Sequence, residues 1–299
     1  MSATGVAGTI GALWRFPVKS MQGERLDAAD VSEAGIVGDR AYAVVDTQTG
    51  KVASAKHPKL WPDLIACRAE FAEPPRRDED IPPVRITLAD GSSVMSDVPD
   101  VDAVLSRFFG RDVELARAAP EDFTIDQYHP DIANLGPEGH RDELTETRLG
   151  AALFKEIGAP SAVPEGSFMD LFPLSVMTTS TLDHLGELQP GSRFDIRRFR
   201  MNLLVDTAEA GFVENAWLGR VIEVGADVRL SVAIPDPRCV MTTVAQPDLP
   251  RDPAILKALA KHNRLDVAGG GLYPCAGVYA LPASTGTVRK GDPVRVIAG

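Results

Sequence analysis

The chain has 299 residues, 44% hydrophobic and 24% charged, with 42 acidic against 31 basic side chains and a formal net charge of −11. That length suits about two domains, and the acidic balance with only 6% aromatic residues argues against a nucleic-acid partner, which needs a basic surface or a stacking platform. No apolar run reaches the roughly 20 residues of a membrane span, and the opening MSATGVAGTIGALWRF lacks a charged leader and long apolar stretch, so a soluble, cytoplasmic protein without a membrane partner is expected.

In chain order, Val6 to Val18 is apolar and β-compatible but broken by Gly and Pro. Arg40 to Lys56 has a hairpin pattern around the polar turn Asp46-Thr47-Gln48-Thr49-Gly50. Glu73 to Pro83, rich in Pro, Arg and Asp, is an exposed loop, and Val84 to Met95 is a second hairpin turning at Asp90-Gly91. Asp102 to Phe109 has helical spacing and stops at Gly110.

Residues 121–150 then carry eight acids and two bases, a net of −6, which suits a solvated connector or, as the lesser alternative, a lid over a site. Thr178 to Leu188 has helical spacing with hydroxyls for caps. Asn202 to Asp206, Val221 to Val224 and Val228 to Ile234 are strands, Asp252-Pro253 opens a helix, and Thr287 to Ile297 closes the chain as a hairpin. Many short strands with tight turns and a few isolated helices predict an α+β, β-rich fold built on β-barrels.

Several common chemistries have no motif here. No G-x-G-x-x-G follows a strand, Gly50-Lys51 lacks the rest of a P-loop, the five histidines form no compact ligand pattern, and there is no G-x-S-x-G elbow. The three cysteines, Cys67, Cys239 and Cys275, are too scattered for a disulfide framework or a C-x-x-C zinc site.

Three clusters remain. In Ile234-Pro-Asp-Pro-Arg-Cys239-Val-Met-Thr-Thr-Val244 a thiol follows a strand and two stiffening prolines, with Arg238 beside it to favour the thiolate. A half-buried structural cysteine is the plain alternative. Residues 191–200 carry four arginines against Asp195, a net of +3, and strand alternation would put Arg198 and Arg200 on one face with Asn202, and Arg197 on the other. Such guanidinium forks suit a phosphate, or else ion pairs with the acidic segment. Near the start lie Arg15-Phe-Pro-Val-Lys19-Ser20 and Gly35-Ile-Val-Gly38-Asp39-Arg40.

Taken together, FPVKS, GDR about twenty residues on, RRFRMN, PRCVMTT and the closing GTVRKGDPVRV resemble the MOSC superfamily, in which an N-terminal MOSC β-barrel domain precedes a MOSC domain. The resemblance is to relatives of the mitochondrial amidoxime reducing component and of the C-terminal domain of molybdenum cofactor sulfurases, and it spans most of the chain. It implies an N-terminal β-barrel domain over 1–118, an acidic connector or lid over 119–166 and a MOSC domain over 167–299.

The resemblance further implies a molybdenum cofactor, Mo-molybdopterin, with Cys239 as catalytic residue and metal ligand. Cofactor contacts would come from Lys19, Ser20, Arg40, Thr178, Thr179, Ser180, Arg200, Asn202 and Arg238. Pyridoxal phosphate binding attaches to the family only at its broadest level. The implied activity is reduction of N-hydroxylated or N-oxide substrates, with electrons from a separate flavin, ferredoxin or cytochrome type protein. Two rivals keep the fold: a sulfur carrier or sulfurtransferase using a Cys239 persulfide, and a non-catalytic protein that binds or delivers the cofactor. Met201 stands where the family commonly has proline. Cys67 is expected in the core, and Cys275 as structural, with an approach to the site as the lesser alternative.

Overall fold

The computed structural model describes residues 5–120 and 122–297. Seven strands close into a barrel in the order Leu174–Thr178, Leu203–Asp206, Val6–Arg15, Pro293–Ile297, Val221–Val224, Val228–Pro237 and Leu272–Ser284, the last pairing back onto the first. Every neighbouring pair is antiparallel except Leu174–Thr178 with Leu203–Asp206. That parallel pair needs a crossover rather than a tight turn, and the helix Thr179–Leu188 lies in the connection. The inward faces of the strands bury Ile10, Leu13, Val176, Leu203, Val205, Ile222, Leu230 and Val278 as one core. Closure leaves the barrel no exposed sheet edge.

Residues 18–113 build a second core, with Val18, Met21, Val44, Leu64, Ile86 and Leu105 fully or nearly buried. Its framework is the sheet of Arg68–Phe71, Val84–Thr87 and Ser93–Met95, the pair Ala43–Asp46 and Val113–Ala116, and the helix Val101–Phe109. Gly110 ends that helix in the left-handed region at φ 63°, where a side chain would be strained. The β-rich α+β class expected from the strand pattern is the fold observed. Among the described residues no helix is long and apolar enough to cross a membrane.

Strand pairing differs from the sequence expectation in three places. Gly286–Arg289 and Pro293–Ile297 do not form a closing hairpin with each other. The first pairs with Ala28–Ser32 and the second with Val6–Arg15 and Val221–Val224, because a two-strand ribbon alone is marginal and these pairings join each strand to a larger sheet. The Arg40 to Lys56 arm does turn, with Asp46 N–H to Lys51 O at 2.9 Å, but the extended partner of Ala43–Asp46 is Val113–Ala116. The acidic run is not an open connector. Thr124–His129 and Glu143–Arg148 pair as a hairpin, followed by the helix Ala151–Glu156.

The boundary expected at residue 118 does not separate two cores. The strand Val6–Arg15 completes the barrel, and Ala29, Val31 and Ile36 pack in its core. The cleft described below therefore has walls from both halves of the chain.

Candidate functional site

A cleft of about 640 Å³ lies where the two cores and the acidic hairpin meet. Cys239 lines it as a free, half-buried thiol. The strand Val228–Pro237 delivers it. Register slips between Val232 and Ile234 and again between Pro235 and Pro237 bend this strand, which stays paired as far as Pro237, opposite Cys275. Cys239 then opens a short 3₁₀ turn, Val240–Thr243, its carbonyl accepting from Thr242 N–H at 3.2 Å and Thr242 Oγ1 at 3.0 Å. Backbone bonds hold the residue in place, and its sulfur is left to the cleft.

The cleft floor is cationic. Lys19 Nζ donates to Phe168 O at 2.8 Å and to Asp170 Oδ1, while Lys56 Nζ reaches Asp170 Oδ2 at 2.8 Å. Burial pulls Lys19 below its ordinary value, outweighing the attraction of Asp170. Burial works the same way on Lys56, but Asp170 and then Cys239 hold it above. The two ammonium groups, against the cost of burial, keep Asp170 below the usual carboxylate range.

Arg40 and Arg200 both lie against the Phe16 ring, their guanidinium carbons 4.5 and 4.3 Å from its centroid. Arg40 pairs with Asp39 and donates to Arg200 O at 3.1 Å. Arg200 donates to Met21 O, and burial, then the neighbouring Arg40, pulls it down to about 9. Seven cations line the cleft, Lys19, Lys56, Arg40, Arg148, Arg198, Arg200 and Arg238, against three carboxylates, Glu138, Asp170 and Asp236, with Asp39 paired to Arg40, so its walls carry an excess of positive charge. Partly buried uncompensated charge is costly, and an anionic ligand would relieve it.

Backbone strain gathers at the same place. Ser20, Arg40 and Arg200 are non-glycine residues at φ 65°, 50° and 56°. Each such conformation costs about 1–3 kcal/mol and persists where the surroundings impose it, commonly at ligand clamps. Ser20 Oγ accepts from Ala55 N–H at 3.1 Å, tying the FPVKS loop to the segment that carries Lys56.

The structure brings Lys19, Ser20, Arg40, Arg200, Asn202, Arg238 and Cys239 to one cleft. Two of them face inward to other partners. Asn202, 2% exposed, accepts from Ser175 N–H and Oγ at 3.1 Å and donates to Asp39 Oδ2 at 3.0 Å, so it sets Asp39 and through it Arg40. Arg238 donates to Ala276 O and Phe199 O, both at 2.8 Å, and to Asp236 Oδ2. Its guanidinium props the loop; the charge expected beside the thiol is already paired.

Three expected contacts lie elsewhere. Thr178, Thr179 and Ser180 do not line the cleft. Thr178 caps the helix Thr179–Leu188, accepting from Thr181 N–H at 3.2 Å, and donates to the fully buried Glu214 at 2.6 Å. Thr179 Oγ1 accepts from Thr207 N–H at 3.2 Å, and Ser180 Oγ meets Thr207 Oγ1 at 2.6 Å. The helix start is spent on Glu214, whose carboxyl burial pushes up against the pull of the Thr178 and Thr181 hydroxyls. Thr178→Val is accordingly expected to cost about 1 kcal/mol by removing the cap from Thr181 N–H and one of the donors to Glu214, which keeps Thr181 Oγ1 at 2.7 Å, with ligand binding per folded molecule unchanged; a denaturant melt with a ligand assay on the refolded fraction checks both.

The expected strand through Arg198 and Arg200 is instead one turn of helix, Ile196–Phe199, capped by Asp195 and ended by Arg200 in the left-handed region. Both reach the cleft lining but with different partners: Arg200 lies against Phe16, while Arg198, 1% exposed, donates to the carbonyls of Arg193, Thr242, Val244 and Pro250. Arg197 pairs with Asp195 and Asp248, the plain ion pairing weighed for this run. Cys67 and Cys275 are both buried, and burial pushes each thiol up to about 12.

Lys56, Asp170 and Asp236 belong to the cleft without having been expected there. Lys56 had one weak signal, a lysine ending the small-residue run Ala53-Ser-Ala; Asp236 stood between the two prolines ahead of Cys239. The acidic hairpin forms the outer wall with Tyr128, His129, Glu138 and His140.

Residues 7–114 match the MOSC N-terminal beta barrel domain and residues 164–295 the MOSC domain. Mitochondrial amidoxime reducing component 2 of Bos taurus is 25% identical over 304 residues, covering 96% of this chain and 82% of that protein. The Homo sapiens protein of the same name is 26% identical over 315 residues, covering 96% and 83%. The YUAD protein from Bacillus subtilis, a solved structure, aligns with a TM-score of 0.43 at 11% identity, covering 97% of this chain and 94% of that one. With both domains of the family found in order, framing a thiol in a cationic cleft, the chain belongs to the MOSC superfamily, as a MOSC N-terminal β-barrel domain followed by a MOSC domain.

Proposed function

We propose that this protein is a molybdenum-cofactor-dependent oxidoreductase that reduces N-hydroxylated or N-oxide compounds. The observation that carries the reading is the joint placement of a free cysteine and an excess of positive charge in one cleft. The residues fit the group. A soft thiolate suits a transition metal, and lysine with arginine suits a phosphate. When bound, the cofactor supplies a two-electron redox centre able to take oxygen from an N–O bond.

The chain's own part is to bind and orient. Cys239 would ligate the metal from the rigid turn after Pro237. Lys19, Lys56, Arg40 and Arg200 would neutralise the pterin phosphate. Asp170 holds both lysines in place and Asn202 fixes Asp39 and Arg40, so the charges are positioned before the ligand arrives. The hairpin Thr124–His129 and Glu143–Arg148 lines the outer side of the cleft with Tyr128, His129 and Thr147. The relatives are named as one component of a reducing system, and we propose that this chain too takes its electrons from a separate redox protein.

Protein purified from a host that makes the cofactor should carry about one molybdenum per chain and reduce an N-hydroxylated compound with a chemical reductant. Arg200→Ala should lower molybdenum content about tenfold or more, by loss of a charge-assisted phosphate contact. The stability of the cofactor-free protein should hold or rise, since the substitution removes a buried charge that Arg40 repels. Metal-free protein with labile sulfur on Cys239 would overturn the reading in favour of sulfur transfer. Metal-loaded protein inert towards N-hydroxylated compounds would favour a cofactor carrier.

A further inference from the structure

Asp236 is 2% exposed and lines the cleft three residues before Cys239. Its Oδ2 accepts from Arg238, whose guanidinium is locked on Ala276 O and Phe199 O. Its Oδ1 is buried without a close hydrogen-bond partner, the Tyr279 hydroxyl being a side-chain donor turned toward the carboxyl. A carboxylate oxygen left bare in a buried place is unfavourable, and either a proton on it or a donor from a bound ligand removes the penalty. The groups facing it are Arg238 on its own segment, Tyr279 and Cys275 on the strand Leu272–Ser284, Asp170 from the loop before Leu174, Arg40, and Lys56.

We infer that Asp236 is the catalytic acid of the cleft, giving a proton through Oδ1 to the oxygen released from the N–O bond while Oδ2 stays on Arg238. The inference rests on the reductase reading above. In that reaction an N–OH group, two electrons and two protons yield N–H and water. The N–O bond breaks, nitrogen is reduced, and the oxygen leaves as water. Both electrons come from the separate redox protein, of flavin, ferredoxin or cytochrome type. Asp236 supplies one of the two protons and solvent water the other; Asp236 becomes a carboxylate paired with Arg238 and is reprotonated from water in the cleft. Burial, opposed by Arg238, pushes its carboxyl up to about 6, where both forms are accessible near neutrality.

The test uses full-length, molybdenum-loaded Asp236→Asn, which keeps the shape and the Arg238 contact but carries no acidic proton. Molybdenum content should be unchanged, KM within about twofold and kcat lower by about 100-fold, the smaller end of what a general acid contributes. Wild-type kcat should fall as pH rises through the Asp236 pKa, because the protonated form acts; the variant should lack that limb, and Asp236→Glu should restore part of kcat. In the cofactor-free protein, carbon-13 NMR should find a carboxyl titrating near 6 that disappears in Asp236→Asn. Wild-type kcat and pH profile in loaded Asp236→Asn, or no carboxyl titrating above about 5, would overturn the inference. Loss of molybdenum with kcat per metal unchanged would also overturn it, by making Asp236 a binding residue only. Wild-type protein without molybdenum would instead overturn the functional reading itself.

Discussion

Cys239→Ala is expected to abolish N-reduction while leaving the fold intact. Cys239 is half-buried, and its contribution to the local structure comes from its carbonyl, which accepts from Thr242 N–H and Oγ1 and survives the change. A substitution that disturbs only such a side chain should alter stability by about 0.5 kcal/mol or less. Activity should fall by more than the roughly 10–100-fold that follows loss of a metal site's supporting partners, since the ligand itself is removed. Molybdenum per chain should fall less than activity, because the lysine and arginine contacts to the phosphate remain. Thermal melting, elemental analysis and turnover on the same preparation decide the matter. Retained turnover would show that the metal, if present, is not held through sulfur.

Arg198→Leu should do the reverse, damaging the fold first. Its guanidinium ties Arg193 O, Thr242 O, Val244 O and Pro250 O together from a position 1% exposed, and leucine meets none of them. An unsatisfied buried acceptor costs about 1–3 kcal/mol, and with some carbonyls regaining water the total loss should be about 4 kcal/mol. For a chain this large that lowers the melting temperature by about 8–15 °C. Two of the four carbonyls sit in and after the turn that Cys239 opens, so cofactor content should fall as well, in step with folded fraction. A melting temperature within 2 °C of wild type, as a rough bound, would refute the structural role. Arg200→Ala, two residues away, should show the opposite pattern: stable protein, poor occupancy.

That contrast shows where reading the chain stops. Arg198 and Arg200 have the same side chain in the same basic run, and strand alternation puts them on one face. A single turn of helix capped by Asp195 puts them in different environments, one among carbonyls and one against Phe16. The hydroxyls Thr178 to Ser180 were legible as a helix start, and Thr178 is the cap. Their use for a cofactor was an inference from family position alone, and Glu214, brought in from the 3₁₀ turn Val213–Trp217, takes Thr178 instead. Arg238 was legible as the neighbour of the thiol, but its direction was not, since Ala276 and Phe199 lie far along the chain.

What the sequence determined by itself is local: the turn at Asp90-Gly91, the helix stop at Gly110, the cap at Thr178, and a thiol set by prolines just past a strand. Each depends on residues within a few positions, where backbone preference and capping chemistry act directly. Order and spacing of the five motifs were also enough to indicate the superfamily. Tertiary structure decided which strands meet and which charges remain unpaired. The barrel closes through a first strand paired with Leu203–Asp206 and Pro293–Ile297, and Lys19, Lys56 and Asp170 form one cluster across 151 positions of chain. A net charge of −11 says nothing of an excess of positive charge in a cleft, because the cleft's charge balance depends on which side chains share its walls, and that depends on pairings distant in sequence.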